Sequence, residues 1–128
     1  MKKQAITWPE YEKRGIPLSP AVRCGNLLFV SGQVPLDQNE KVPEKFADQA
    51  TLVFNKLKAI MERSGTTLDN VLNITVYLNS MDDWQELNRI YVQYFRKPFP
   101  ARTAIQSSIC RPEQPIRIEV QAVACVDD

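Results

Sequence analysis

Ile116-Arg117-Ile118-Glu119-Val120-Gln121-Ala122-Val123-Ala124-Cys125-Val126 alternates along most of its length. A period of two puts Ile116, Ile118, Val120, Ala122 and Ala124 on one face and Arg117, Glu119 and Gln121 on the other. The first set makes a core face. The second is too mixed for a core and suits a subunit interface. The stretch therefore predicts a strand in a sheet covered on one side only.

Working back along the chain, Val71–Leu78 alternates in the same way, with Leu72, Ile74, Val76 and Leu78 against Asn73, Thr75 and Tyr77. Ala101–Ser107 reads as another strand. Residues 21–31 read as a hairpin, with Gly25-Asn26 as its tight turn. Two helices separate these strands. In Glu44–Ser64, steps of three and four connect Phe46, Ala50, Val53, Phe54, Leu57, Ile60 and Met61, and Gly65 stops the helix. The second starts at Asp83, an N-cap with Glu86 as its capping-box partner, and buries Trp84, Leu87, Ile90, Tyr91, Tyr94 and Phe95 before Pro98 and Pro100. The order is hairpin, helix, strand, helix, strand, strand. It predicts an α+β fold with two helices on one face of a sheet.

A chain of 128 residues, 44% hydrophobic and 24% charged, is expected to form one domain over 1–128 and not to be disordered. Its core is small, so a site of useful depth calls for a second subunit. The net charge of +1 gives no steering toward nucleic acid or anionic lipid. No apolar run approaches a membrane span, and no signal core follows Lys2-Lys3, so the expected location is cytoplasmic. Histidine is absent, which removes Ser-His-Asp and Cys-His catalysis and histidine metal ligands. Cys24, Cys110 and Cys125 lack zinc-site spacing and read as structural thiols.

Among candidate site residues, Arg102 opens a strand after Phe99-Pro100-Ala101 and offers a rigid fork to a carboxylate or phosphate. Taken alone, it reads first as an ordinary surface arginine. Glu119 sits mid-strand among apolar neighbours, where burial raises a carboxyl pKa and suits acid, base or water-anchoring work. Taken alone, it reads first as half of an interface ion pair, with Arg117 of another chain as a candidate partner. Ser31-Gly32 allows close backbone approach to a ligand, and serves equally as a plain turn. Asn88 lies beside the second helix's apolar stripe, where it caps a loop or holds a site.

Four stretches together resemble the Rid family, the reactive intermediate deaminases also called YjgF or endoribonuclease L-PSP proteins. They are Gly25-Asn26-Leu27-Leu28-Phe29-Val30-Ser31-Gly32-Gln33-Val34-Pro35, Leu87-Asn88-Arg89-Ile90-Tyr91, Phe99-Pro100-Ala101-Arg102-Thr103 and Ile118-Glu119-Val120-Gln121-Ala122-Val123-Ala124. The resemblance spans roughly residues 17–125. It implies a chorismate-mutase-like fold, assembled as a homotrimeric barrel with sites between subunits. It implies hydrolysis of 2-imino acids, formed from enamines such as 2-aminoacrylate, to 2-keto acids and ammonia. By the same resemblance Arg102 pairs with the substrate carboxylate and Glu119 orients the attacking water. Main-chain groups at Ser31, Gly32 and Ala104 contact substrate, and no metal or cofactor is called for.

Two positions depart from the family pattern. Leu18 stands where a ligand-flanking tyrosine is usual, and Ala104 where a cysteine is common. A more apolar pocket at Leu18 favours bulkier imino acids. The stretch Ile109–Pro115 is slightly longer than usual. The alternatives to a deaminase are a trimeric module that binds 2-keto acids or related carboxylates without turnover and, further down, an RNA-directed role, against which the charge and the absent histidine argue.

Overall fold

The computed structural model describes residues 2–109 and 113–127, so Cys110 and the centre of the Ile109–Pro115 stretch lie outside the described residues. The long amphipathic helix forms as expected, as α2 (Phe46–Arg63). All seven residues of its predicted stripe are buried. Gly65, at φ 82°, ends it: Thr66 N–H donates to Met61 O and Gly65 N–H to Glu62 O, the Schellman pattern.

The stripe packs on a sheet of six strands in the order β1-β2-β3-β6-β4-β5. They are β1 (Gln4–Ile6), β2 (Ala21–Cys24), β3 (Leu27–Gln33), β4 (Val71–Leu78), β5 (Ala101–Gln106) and β6 (Ile118–Cys125). Only β4 and β5 run parallel. Parallel neighbours need a crossover, supplied here by α3 (Trp84–Tyr91). The β2–β3 hairpin turns at Gly25-Asn26, with Gly25 at φ 60°. A mixed sheet with helices on one face is the α+β fold that the sequence predicts. Two N-terminal elements were not anticipated: β1 and the four-residue helix α1 (Pro9–Glu12). Arg63 stacks over Trp8 at 4.4 Å and holds the α1 segment to α2.

Several expectations are corrected. Leu72 is exposed, because the β4–β6 register shifts between Val71 and Asn73 and turns it out of the core. Asp83 makes no cap hydrogen bond. Its carboxylate accepts a fork from Arg117 instead, Nη2 to Oδ1 at 2.6 Å and Nε to Oδ2 at 3.2 Å. Glu86 pairs with Arg89 rather than closing a capping box. Trp84 is partly exposed rather than part of the buried stripe. Helix α3 stops at Tyr91, and Phe95 reaches the core from the following turn. Arg117 precedes β6 and leans over Phe46, so it does not share the open face with Glu119 and Gln121.

One buried polar side chain ties these parts together. Gln49 sits within the apolar stripe of α2 and is fully buried. Its Nε2 donates to Pro43 O at 2.8 Å and to Pro115 O at 2.9 Å, and its Oε1 accepts from Arg117 N–H at 2.8 Å. The amide thus satisfies backbone groups at the entrances to both α2 and β6. A buried group left unpaired costs about 1–3 kcal/mol. Gln49→Leu, near in volume but unable to bond, is expected to lower unfolding free energy by about 3 kcal/mol in urea titration. A change under about 1 kcal/mol would remove this role from Gln49.

Candidate functional site

The first half of the site forms where β3 breaks its register. Val30 pairs with Ala122 but Gln33 with Val120, so β3 carries one extra residue at Ser31-Gly32. The bulge brings Gly32 against Glu119. A Cβ at Gly32 would overlap Glu119 Oε2. A side chain at Gly32 would displace the Glu119 carboxylate from this position. Ser31 Oγ donates to Ser19 O at 2.6 Å and Ser31 N–H to Pro20 O at 3.0 Å, which straps the Leu18 segment to β3. The Ser31 hydroxyl is thus engaged by the fold. Leu18 is half exposed and lines, with Ser31, Gly32 and Glu119, an open groove of about 1250 Å³.

Glu119 lies on the open face of the sheet, opposite Tyr77 of β4. It also borders a smaller hollow of about 210 Å³, formed with Tyr77, Ser107, Ser108 and Gln121. Tyr77 Oη donates to Gln121 Oε1 at 3.2 Å. Among the described residues the Glu119 carboxylate has no hydrogen-bond or ion-pair partner. Burial holds its pKa above the ordinary 4.5. The alternative of an ion pair with Arg117 is weakened, since that guanidinium is taken by Asp83.

The second half forms around Arg102. The β4–β5 ladder places Arg102 beside Ile74 and Ala104 beside Val76, both core residues, so Arg102 and Ala104 point toward the helices. The crossover helix covers this face. Trp84, Asn88 and Tyr91, at i, i+4 and i+7, lie along one side of α3. Arg102 Nη2 donates to Asn88 Oδ1 at 2.7 Å. Its guanidinium carbon lies 5.0 Å from the Trp84 ring and 4.7 Å from that of Tyr91. Nη2 carries one N–H on each bidentate edge of the fork. Asn88 therefore occupies one edge and leaves the other for a carboxylate. The Tyr91 phenol is pushed up to about 12 by burial, against the opposing pull of Arg102.

The seven candidate residues thus fall into two sets. Leu18, Ser31, Gly32 and Glu119 meet at one place; Asn88, Arg102 and Ala104 meet at another. In one chain the two sets lie on opposite faces of the sheet, with β4 between β5 and β6. A small ligand held on Arg102 cannot touch Glu119 of the same chain. Reading the sequence missed the part of Trp84 and Tyr91, although their spacing around Asn88 was visible. It also missed Tyr77, which stands opposite Glu119.

The chain matches the sequence profile of the Endoribonuclease L-PSP family over residues 13–126. It is 39% identical over 110 residues to a RutC family protein of Pyrococcus horikoshii, covering 84% of this chain and 86% of that one. It is 27% identical over 127 residues to a 2-iminobutanoate/2-iminopropanoate deaminase of Dermatophagoides farinae, covering 98% of each. Its fold superposes on the crystal structure of RidA from an Antarctic Psychrobacter with a TM-score of 0.81, at 31% identity and covering 87% of this chain and 89% of that one. Profile, relatives and fold agree: the chain belongs to the endoribonuclease L-PSP family, that of the YjgF, RidA and RutC proteins.

Proposed function

We propose that this protein is an enamine/imine deaminase that hydrolyses 2-imino acids to 2-keto acids and ammonia, at sites shared between copies of a homotrimer. The observation that carries this reading is the split of the site. Arg102 is held by Asn88 with one edge of its fork open, and Glu119 lies unpartnered among the described residues beside Gly32. They lie on opposite faces of one chain, so a second copy has to bring an Arg102 to each Glu119. Apolar residues exposed on the open face support such a contact: Leu27, Phe29 and Ile105 stand there. The name of the mite relative points to the same reaction.

The chemistry needs little else. The carbon of a 2-imino acid is already electrophilic. Arg102 fixes the carboxylate, which sets the C=N plane against Glu119. The carboxylate of Glu119 takes a proton from water as its oxygen bonds to that carbon, giving a carbinolamine. With the imine nitrogen protonated at the outset, Glu119 returns that proton to the amine nitrogen and then takes the hydroxyl proton as the C–N bond breaks, so that ammonia leaves and the C=O of the 2-keto acid forms. Orientation of this kind supplies up to about 7–11 kcal/mol, and acid–base help roughly 10²–10⁴-fold. Neither step uses histidine, and Ala104 offers no thiol. The half-exposed Leu18 puts an apolar side chain in the groove wall near Ser31, which favours imino acids with larger side chains. A second reading, carboxylate binding without turnover, rests on the Arg102 half, which a single chain builds without Glu119.

The test is imine capture. An amino-acid oxidase generates 2-imino acids of graded size, and semicarbazide traps them. The parent is expected to suppress the trapped product. Arg102→Ala is expected to lose at least about 10²-fold of that activity while staying trimeric, and Arg102→Lys most of it, because the fork is lost. Parent-like activity in Arg102→Ala would sink the assignment. Suppression by neither protein, with 2-keto acid binding intact, would favour the second reading.

Glu119 carries a prediction of its own. Its carboxylate works as a base, so activity is expected to rise with pH through a pKa above 4.5. Stability runs the other way. A carboxyl whose folded pKa is raised favours the fold at low pH and loses that contribution as pH climbs through the folded value. Glu119→Gln is therefore expected to be inactive yet more stable than the parent at pH 7. The gain should shrink toward zero below pH 4.5, as read by urea titration at several pH values. A less stable variant at pH 7 would contradict the burial of a charged Glu119.

A further inference from the structure

We propose that Trp84 is a positioning residue for Arg102, the solvent-side jaw of an aromatic clamp whose inner jaw is Tyr91. The inference rests on the reading of Arg102 as the carboxylate fork. Trp84 and Tyr91 stand seven residues apart on α3, about 10 Å along its axis. The guanidinium carbon lies 5.0 Å from one ring and 4.7 Å from the other, within cation–π reach of both. Asn88, midway along the same side of the helix, bonds Nη2 at 2.7 Å. The two contacts divide the task. The two rings offer cation–π contacts to the guanidinium, and the amide fixes its Nη2 end. What remains free is one edge with two parallel N–H donors.

The jaws differ in surroundings. Tyr91 is 5% exposed and packs on Phe54 and Phe95, so its ring belongs to the core. Its buried hydroxyl has no hydrogen-bond partner among the described residues, and the ring is the part that Arg102 uses. Trp84 is 38% exposed. More than a third of its surface contributes nothing to packing. Its contact with Arg102 accounts for an indole at a place where the apolar stripe of α3 does not reach. A fork ordered before the ligand arrives loses less freedom on binding, so the clamp acts on affinity rather than on the chemical step.

The test uses the full-length chain with 2-oxobutanoate, the stable keto counterpart of a small imino acid. Binding is measured by titration calorimetry, with thermal melting alongside. Trp84→Leu is expected to weaken binding by about five- to thirtyfold. In the imine assay it is expected to raise KM by a similar factor with kcat nearly unchanged. Trp84→Phe, which restores a π face, is expected to recover binding to within about twofold of the parent. The melting temperature of both variants should stay near that of the parent. Binding by Trp84→Leu within twofold of the parent would overturn the proposal. So would a lower melting temperature and lower kcat at unchanged affinity, the signature of a structural role. Failure of the parent to bind any 2-oxo acid would overturn it as well. Trp84-dependent binding in a protein that hydrolyses no imine would uphold the clamp and remove the deaminase reading.

Discussion

The position of β6 depends on one buried amide. Gln49 takes the carbonyls of Pro43 and Pro115 and the N–H of Arg117, which fixes where the chain enters the last strand. Arg117 is then placed to reach Asp83, and the pair joins the entrance of β6 to the start of α3. From that start the spacing of α3 carries Trp84, Asn88 and Tyr91 over Arg102. From the same entrance the alternation of β6 carries Glu119 to the opposite face. Both halves of the site are therefore set from one region of the core. The Arg117–Asp83 pair is partly solvated on the arginine side, so its value lies more in placement than in stability.

Elements with a long repeat were legible in the sequence. The α2 stripe spans most of five turns, and β6 alternates over its whole length, so each carries many votes for one period. Short elements carried too few. In β1 there are three residues, whose strand state is settled by pairing with β2. The errors at Leu72, Asp83, Trp84 and Arg117 share a cause. A local pattern assigns each residue to its nearest rule, such as a strand parity or a helix cap. In the fold each answers to a distant partner: a register shift against β6, a guanidinium from 34 residues away, or a side chain of β5. A carboxylate that meets a guanidinium fork makes two charge-assisted bonds where the cap offers one.

The candidate site was legible as a set of residues but not as a geometry. Glu119 could be put on the open face, because its neighbours alternate cleanly. Arg102 could not be placed in this way. In Ala101-Arg102-Thr103-Ala104-Ile105-Gln106 the more apolar set, Ala101, Thr103 and Ile105, is the one that faces away from the core, so parity points the wrong way. Only pairing with Ile74 and Val76 settles it. The relation of the two residues was therefore hidden until the sheet order placed β4 between them. With that order, the proposal that a second copy completes the site gains a geometric reason within one chain.

Departures from ordinary packing gather at these same two places. Gly32 leaves the space beside β3 into which the Glu119 carboxylate extends. Glu119 is half buried with its pKa raised by desolvation. An indole lies partly in solvent over Arg102, and the hydroxyl of Tyr91 is buried without a partner among the described residues. None of these choices serves the core, and the charged Glu119 opposes folding at neutral pH. A fold under selection for stability alone would replace them cheaply: a neutral residue at 119, an alanine beside it, a smaller side chain at 84. Their presence together, on the two surfaces that a second copy would have to join, is what chemistry at those surfaces would require.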